Sequence, residues 1–142
     1  MHMIYFITMK ICDYEFDLDE ITELYSAVGW TNYTRDPEFL RKAFAGSLCV
    51  LGAYEDSGLA GFIRAVGDGA SILYIQDIVV RSDMQRKGIG TALVRALLER
   101  YPDVYQTVLM TDDTETSVRF YESLGFSAVS DLNCKAFVKI NI

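Results

Sequence analysis

The residues best suited to chemistry form a glycine-bearing turn between an apolar segment and a helix-like segment. Residues 72–81 are rich in β-branched side chains, and Gln85, Gly88 and Gly90 (Gln-x-x-Gly-x-Gly) lead into the helical pattern that follows. Glycine lets a backbone approach a ligand closely, and the first N–H groups of a helix lack carbonyl partners and lie at its positive end. Such a turn suits a phosphate group. Three basic residues in this otherwise acidic chain also favour a polyanion: Arg81, Arg86 and Lys87.

Two common phosphate-binding motifs do not fit this turn. A dinucleotide-binding fingerprint requires Gly-x-Gly-x-x-Gly soon after the first strand. Here Leu93 stands where the third glycine would be, and the turn lies late in the chain. A P-loop requires two glycines separated by four intervening residues and followed by Lys and Ser or Thr, and the chain has no such run. A plain turn at the start of a helix remains the simpler alternative.

A second candidate for chemistry is Tyr121. Val118, Tyr121 and Leu124 share one face of a predicted helix, so the tyrosine is expected to point towards the core. Core packing is therefore the alternative to a chemical role. The only histidine is His2, which excludes a histidine-dependent catalytic triad and argues against a His-ligated metal. Catalysis must use backbone groups, tyrosine, carboxylates, hydroxyls or thiols.

Composition narrows the possible partners. The chain has 142 residues, the size of one domain, and a net charge of −7, which argues against nucleic-acid binding and suits a cationic substrate. No apolar run approaches the ~18 residues of a membrane helix. The three cysteines are scattered, as expected of free thiols in a reducing compartment. We expect a cytoplasmic protein with no membrane association.

The elements that position these residues follow from periodicity and turn signals. A meander of antiparallel strands should lead into a β-α-β unit whose strands are parallel. The predicted order is a strand over 3–11, a helix capped by Asp19 and ended by Gly29, a helix from Asp36-Pro37 to Ala45, strands over 48–54, 59–66 and 71–80, a helix over 90–101, a strand over 106–111, a helix over 114–124, and strands over 126–130 and 134–140.

The two candidate segments together resemble the GNAT family (Gcn5-related N-acetyltransferases). The resemblance rests on Gln85-x-x-Gly88-x-Gly90, followed about 30 residues later by Phe120-Tyr121-x-x-x-Gly125-Phe126, and it covers roughly residues 48–130. It implies a single domain over 1–142 with an α/β (α+β) fold. Its mixed, mostly antiparallel sheet would be flanked by helices and splayed open between the strands at 72–80 and 106–112, with acetyl-CoA in the gap.

The resemblance also implies how acetyl-CoA is held. Backbone N–H groups from Arg86 through Lys87, Gly88, Ile89 and Gly90 to Thr91 would bind the pyrophosphate, and Gln85 belongs to the same motif. The backbone of Ile78, Val79 and Val80 would pair with the pantetheine arm, with a backbone N–H near Val80 polarising the thioester carbonyl.

Tyr121 matches the family's tyrosine that protonates the departing thiolate. On ordinary pKa values this transfer is uphill by only ~2 kcal/mol. Many members carry an asparagine at the start of the same helix, where this chain has Thr114, with Ser117 nearby. The resemblance implies that Thr114 and Ser117 contact the cofactor from this position, with a hydroxyl in place of the amide.

The acceptor side rests on fewer residues. Asp77 is a carboxylate on an otherwise apolar strand face, so burial would suit it as general base for the attacking amine, with a hydrogen-bonded structural aspartate as the alternative. Gln76 and Glu23 are weaker candidates. Trp30 and Tyr33 either line an acceptor pocket or pack in the core.

The resulting hypothesis is an enzyme that transfers an acetyl group from acetyl-CoA directly to a primary amine of a small molecule. A non-catalytic acyl-CoA-binding or sensing module, and an acetyltransferase acting on a protein or peptide amine, are the alternatives. A homodimer through the terminal strands is possible.

Overall fold

The computed structural model describes residues 9–141 and contains one five-stranded sheet whose strands lie in chain order. The chain divides into two compact units, one ending at Met110 and one beginning at Thr111. The first contains the sheet and three helices, and the second contains the last helix. The elements are β1 (Lys10–Asp13), α1 (Leu18–Ala27), α2 (Pro37–Ala45), β2 (Cys49–Glu55), β3 (Gly58–Gly67), β4 (Ile72–Val80), α3 (Ile89–Arg100), β5 (Gln106–Leu109) and α4 (Glu115–Ser123), with 3-10 turns at Ser82–Met84 and Val129–Leu132.

The helix boundaries follow from capping side chains. Asp36 accepts hydrogen bonds from the first backbone N–H groups of α2, and Pro37 occupies the position where a missing N–H costs nothing, so this helix is confirmed as predicted. The predicted cap of α1 was wrong. Asp17, not Asp19, accepts from the Glu20 N–H at 3.0 Å, and Asp19 lies inside the first turn, where its charge suits the helix dipole.

The sheet is mixed, as predicted. Strands β1 to β4 pair antiparallel, and β5 pairs parallel to β4 after the α3 crossover. The helices of the first unit cover the apolar side chains of the sheet. On the side of α1 and α2 the buried members are Ile21, Leu24, Tyr25, Leu40, Phe44, Leu59, Phe62 and Val79.

A β-bulge interrupts β4 at Gln76. Ala65 of β3 lies opposite Ile75, whereas the next residue, Arg64, lies opposite Asp77, so Gln76 is the extra residue. A bulge bends its strand and re-aims nearby side chains, and bulges are frequent next to functional sites. The sequence pattern did not predict it.

The two strands predicted at the C-terminal end were wrong. Between residues 126 and 141 the structure has a 3-10 turn and otherwise no regular secondary structure. Phe137, Val138 and Ile140 have the composition of a strand, but their side chains are 91%, 62% and 71% exposed. Strand propensity is realised only against a neighbouring strand, and none lies beside this segment in the part of the chain that the structure describes.

The first predicted strand overlaps β1 in the residues that the structure describes. Of residues 3–11, positions 3–8 lie outside the described residues, and β1 continues to Asp13. None of the helices over residues 9–141 is long and apolar enough to cross a membrane.

We predict that Gly61→Ala destabilises the protein by separating β3 from β4. A Cβ atom at position 61 would lie 2.5 Å from the Val79 carbonyl oxygen and 3.2 Å from the Val80 Cα, both backbone atoms that cannot move alone. The free energy of unfolding in urea should fall by about 1–3 kcal/mol. Gly52→Ala is the matched control, because its added Cβ meets only side-chain atoms of Leu59, Tyr54 and Tyr14. Equal losses in the two variants would contradict the explanation.

Candidate functional site

The second half of β4 has an open edge. Pairing with β5 involves only Ile72 to Ile75, so among the described residues no strand lies beside Gln76–Val80 on that side. The Arg81 N–H donates to the Ala60 carbonyl at 2.8 Å, which shows that position 81 faces β3. Because backbone groups alternate along a strand, the N–H groups of Ile78 and Val80 face the open edge. An extended ligand could pair with them as an added strand would.

The turn after β4 leads into α3, whose N-terminus has no side-chain cap. Arg86 and Gly88 both adopt left-handed backbone conformations, with φ of 66° and 81°. The first bond of α3 joins the Ala92 N–H to the Gly88 carbonyl at 3.0 Å, and no described side chain caps this helix. The N–H groups of Ile89, Gly90 and Thr91 are therefore available to an anion, next to the open edge of β4.

Gln85 connects the two features. Its side-chain amide donates to the Val80 carbonyl oxygen at 3.2 Å and so ties the turn to the end of β4. The amide occupies an acceptor on the open edge and leaves the Val80 N–H for another partner. The first residue of the Gln-x-x-Gly-x-Gly motif thus shapes the turn.

Arg81 holds structure as well as contributing charge. Its guanidinium donates to both carboxylate oxygens of Glu23, one of them at 2.7 Å, and to the Leu59 carbonyl at 2.7 Å. The pair joins α1 to the end of β4, and the hydrogen bond from Arg81 lowers the pKa of Glu23. A carboxylate whose pKa is lowered is a weaker base, so Glu23 is poorly suited to deprotonating an amine. Arg86 and Lys87 are left to attract a polyanion.

Asp77 lies in a buried ion pair. Its Oδ2 accepts from the Arg64 Nε and from the Tyr25 hydroxyl, both at 2.7 Å, and only 2% of the residue is exposed. Its Oδ1 is buried without a hydrogen-bond partner among the described residues. Arg64 also donates to Ser47 and to the Ala43 carbonyl, at 3.2 and 3.4 Å. Asp77 is thus a hydrogen-bonded strand aspartate, and its predicted role as general base stays a prediction.

The segment between α1 and α2 lines an open cavity of about 470 Å³, formed by Gly29, Trp30, Thr31, Asn32 and Tyr33. The Trp30 ring lies near-parallel to the Tyr25 ring, with centroids 6.1 Å apart, and is 40% exposed. Tyr33 contacts Tyr25 edge-on at 5.3 Å. Trp30 and Tyr33 therefore both pack on Tyr25 and line the cavity, so the two roles predicted for them are compatible.

Within the second unit, Tyr121 lies among aromatic rings. Its ring centroid is 4.9 Å from that of Phe120 and 5.9 Å from that of Phe126. Burial, and secondarily the charge of Asp112, raise the pKa of the Tyr121 phenol. Both effects disfavour the phenolate, so the hydroxyl keeps its proton at neutral pH and can act as a donor.

Thr114 caps α4 in the way its position predicts. Its hydroxyl oxygen accepts from the Ser117 N–H at 3.2 Å, and the hydroxyl donates to Asp112 at 2.8 Å. These bonds lower the number of contacts that Thr114 can offer to a ligand. Hydrogen bonds from Ser117 and Thr114 also lower the pKa of Asp112, which keeps that carboxylate charged.

Sequence reasoning missed Tyr25 and Arg64. Arg64 is the single charge in the apolar run of β3, as Asp77 is in β4. Counting outward from the observed pair Gly67–Leu73 places Arg64 opposite Gln76, and the bulge shifts it opposite Asp77. Opposite charges at facing positions of two apolar strands indicate a buried pair.

Comparisons with known proteins agree on one family. The family model described as "Acetyltransferase (GNAT) domain" matches residues 20–140. An uncharacterized N-acetyltransferase, ycf52-like, of Prochlorococcus marinus is 30% identical over 127 residues, which are 85% of this chain and 68% of that protein. The uncharacterized N-acetyltransferase ycf52 of Gracilaria tenuistipitata is 28% identical over 116 residues, 78% of this chain, and the chain spans only 62% of its length.

The structural comparison is closer still. A solved structure of an acetyltransferase, GNAT family protein, from Streptococcus pneumoniae TIGR4 has a TM-score of 0.84 and 38% sequence identity. The likeness covers 96% of this chain and 98% of that one.

We predict that Asp77→Ala destabilises the protein by about 3–5 kcal/mol, because it leaves the buried Arg64 guanidinium without its counter-ion. Unfolding in urea, followed by circular dichroism, measures the loss. The double variant Arg64→Met, Asp77→Leu should lose less than the sum of the corresponding single variants, since it removes both charges. Additive losses would contradict a buried pair, and a negligible loss in Asp77→Ala would indicate a solvated carboxylate.

Proposed function

Because the chain belongs to the GNAT acetyltransferase family, we propose that it transfers an acetyl group from acetyl-CoA directly to a primary amine of a small molecule. The observation that carries the proposal is the open edge of β4, which continues into the uncapped N-terminus of α3. An extended arm ending in a pyrophosphate matches this pair of features. The single domain over 1–142 is part of the same proposal.

The residues that would hold acetyl-CoA lie on consecutive elements of the first unit. Backbone N–H groups from Arg86 to Thr91 would bind the pyrophosphate, and the backbone of Ile78 to Val80 would pair with the pantetheine arm. When bound, acetyl-CoA supplies an activated acetyl group. The Val80 N–H would donate a hydrogen bond to the carbonyl oxygen of that group, where negative charge develops.

Tyr121 would supply the proton that the leaving thiolate takes up. Its raised pKa keeps the hydroxyl protonated and also makes the phenol a weaker acid, so the transfer costs more than the ~2 kcal/mol of ordinary pKa values. Thr114 and Ser117 would contact the same ligand from the start of α4.

The amine would bind beside Trp30 and Tyr33, whose rings border the cavity between α1 and α2. A flat apolar or cationic group can stack on such rings. The net charge of −7 favours the approach of a cation. To act as general base, Asp77 would need a path from the amine to its buried carboxylate. A positioning role fits its surroundings better.

A cytoplasmic location and a possible homodimer are further parts of the proposal. All three cysteines are free thiols, as a reducing compartment would keep them.

We predict that coenzyme A binding depends on the two cations of the turn. Saturating coenzyme A, at ~100 times its dissociation constant, should stabilise the wild-type protein by about 2.7 kcal/mol. Arg86→Gln combined with Lys87→Gln should weaken binding roughly tenfold, or about 1.4 kcal/mol. Thermal unfolding and calorimetry measure both effects. Arg95→Gln, an exposed cation further along α3, is the control. Equal binding by all variants would exclude a contribution of these two cations to the pyrophosphate site.

We predict that Tyr121→Phe lowers kcat by ~10²-fold or more while leaving coenzyme A affinity nearly intact, because it removes the proton donor alone. A thiol reagent would follow coenzyme A release with acetyl-CoA and a panel of small amines. Tyr105→Phe is the control, since this side chain is 89% exposed. Cofactor binding without turnover on any amine or peptide would favour a non-catalytic acyl-CoA-binding module.

A further inference from the structure

The bulge in β4 is linked to the cavity segment through two tyrosines. The Tyr25 hydroxyl donates to Asp77 at 2.7 Å, and the Gln76 side-chain amide donates to the Tyr33 hydroxyl at 3.1 Å. The Tyr25 and Tyr33 rings meet edge-on at 5.3 Å. Gln76 and Asp77, which are consecutive in β4, thus bind Tyr33 and Tyr25. Because these two tyrosines also contact each other, the four residues form a closed loop of contacts.

Tyr25 is at the centre of these contacts. It is fully buried, with 0% exposure, and its ring contacts Trp30, Tyr33 and Phe62. Its backbone carbonyl accepts from the Trp30 N–H at 2.9 Å. The main chain of Tyr25 therefore holds the start of the cavity segment (residues 29–33). Its side chain holds the rings of Trp30 and Tyr33.

The hydroxyl of Tyr25 sets how its ring is turned. Asp77 is itself fixed by Arg64, and Arg64 by Ser47 and the end of α2. The phenol oxygen is thus attached to a rigid, buried network. Removing that oxygen keeps the ring but leaves only packing contacts to orient it, so the rings of Trp30 and Tyr33 lose the anchor that fixes their neighbour.

We propose that Tyr25 is a positioning residue for the acceptor amine. By anchoring its hydroxyl to Asp77, it holds Trp30 and Tyr33 in the arrangement that binds the amine. The inference rests on the proposed function for the location of the acceptor. In this proposal Asp77 supports the acceptor pocket indirectly, because it fixes the hydroxyl of Tyr25.

The experiment compares Tyr25→Phe with Tyr14→Phe. Tyr14 is the matched control because its hydroxyl also donates to a carboxylate, Glu20 at 2.8 Å, and its ring also packs on Phe62. It has no ring contact with Trp30 or Tyr33 among the described aromatic pairs. Tyr25→Phe should raise the acceptor KM about two- to tenfold, the effect of one lost hydrogen bond, with kcat and the acetyl-CoA KM within about twofold. Tyr14→Phe should change none of them.

A second readout does not need turnover. Trp30 is the only tryptophan of the chain, so its fluorescence reports on the cavity segment alone. Tyr25→Phe should shift its emission to longer wavelength and increase its quenching by acrylamide, whereas Tyr14→Phe should leave both unchanged.

The two readouts separate the possible failures. Unchanged Trp30 fluorescence in Tyr25→Phe overturns the proposal whatever the kinetics, and so does changed fluorescence with an unchanged acceptor KM. If no amine is acetylated by the wild-type protein while the fluorescence changes as expected, the proposed function fails and the positioning of Trp30 by Tyr25 stands.

Discussion

The buried pair between Arg64 and Asp77 is the interaction on which the arrangement of the first unit depends. A charge removed from water must meet an opposite charge and enough hydrogen bonds, or the fold is lost. The partners come from β3 and β4, from the end of α2 through Ser47 and the Ala43 carbonyl, and from α1 through Tyr25. Two strands and two helices must therefore sit in one mutual position. Such a pair adds little net stability over apolar residues, but removing one partner is costly because it leaves the other charge buried and unpaired.

The bulge at Gln76 brings Asp77 opposite Arg64 and also decides which backbone groups β4 offers to a ligand. Before the bulge, the Ile72 carbonyl faces β3 and accepts from the Gly69 N–H at 3.2 Å. After it, odd positions face β3, as the Arg81 N–H does. Without the extra residue, the N–H of Val80 would point into the β3 ladder. With it, the Val80 N–H reaches the edge that β5 leaves open. The bulge thus turns a donor of the strand ladder into one that is free for the proposed contact with the acetyl carbonyl.

The parts of this molecule that sequence predicted are those whose cause is local. Asp36-Pro37 and Gly46 delimit α2 by capping, and Gly88 supplies the left-handed backbone at which α3 begins. The cap of α1 was misplaced because Asp17 and Asp19 are both adequate, and only the surrounding packing selects between them. The C-terminal strands failed for a different reason. A β-strand pattern indicates that a segment could pair with another strand. Pairing also needs a free sheet edge beside the segment, which composition does not reveal. Buried partners such as Tyr25 are 52 residues from Asp77, beyond any local signal.

Helix α1 contacts β4 and its C-terminal end at two places, one beside the proposed cofactor site and one beside the proposed acceptor site. Glu23 holds Arg81 at the end of the strand, beside the turn proposed to bind the pyrophosphate, and Tyr25 holds Asp77 beside the bulge. These residues are two positions apart, so the helix directs one towards the end of β4 and the other towards its buried side. The open edge of β4 is the proposed place of the acyl donor, and its buried side supports the proposed pocket of the acceptor. A shift of α1 would disturb both together. One strand, β4, and one helix, α1, therefore fix the position of the proposed acceptor site relative to the proposed acyl-donor site.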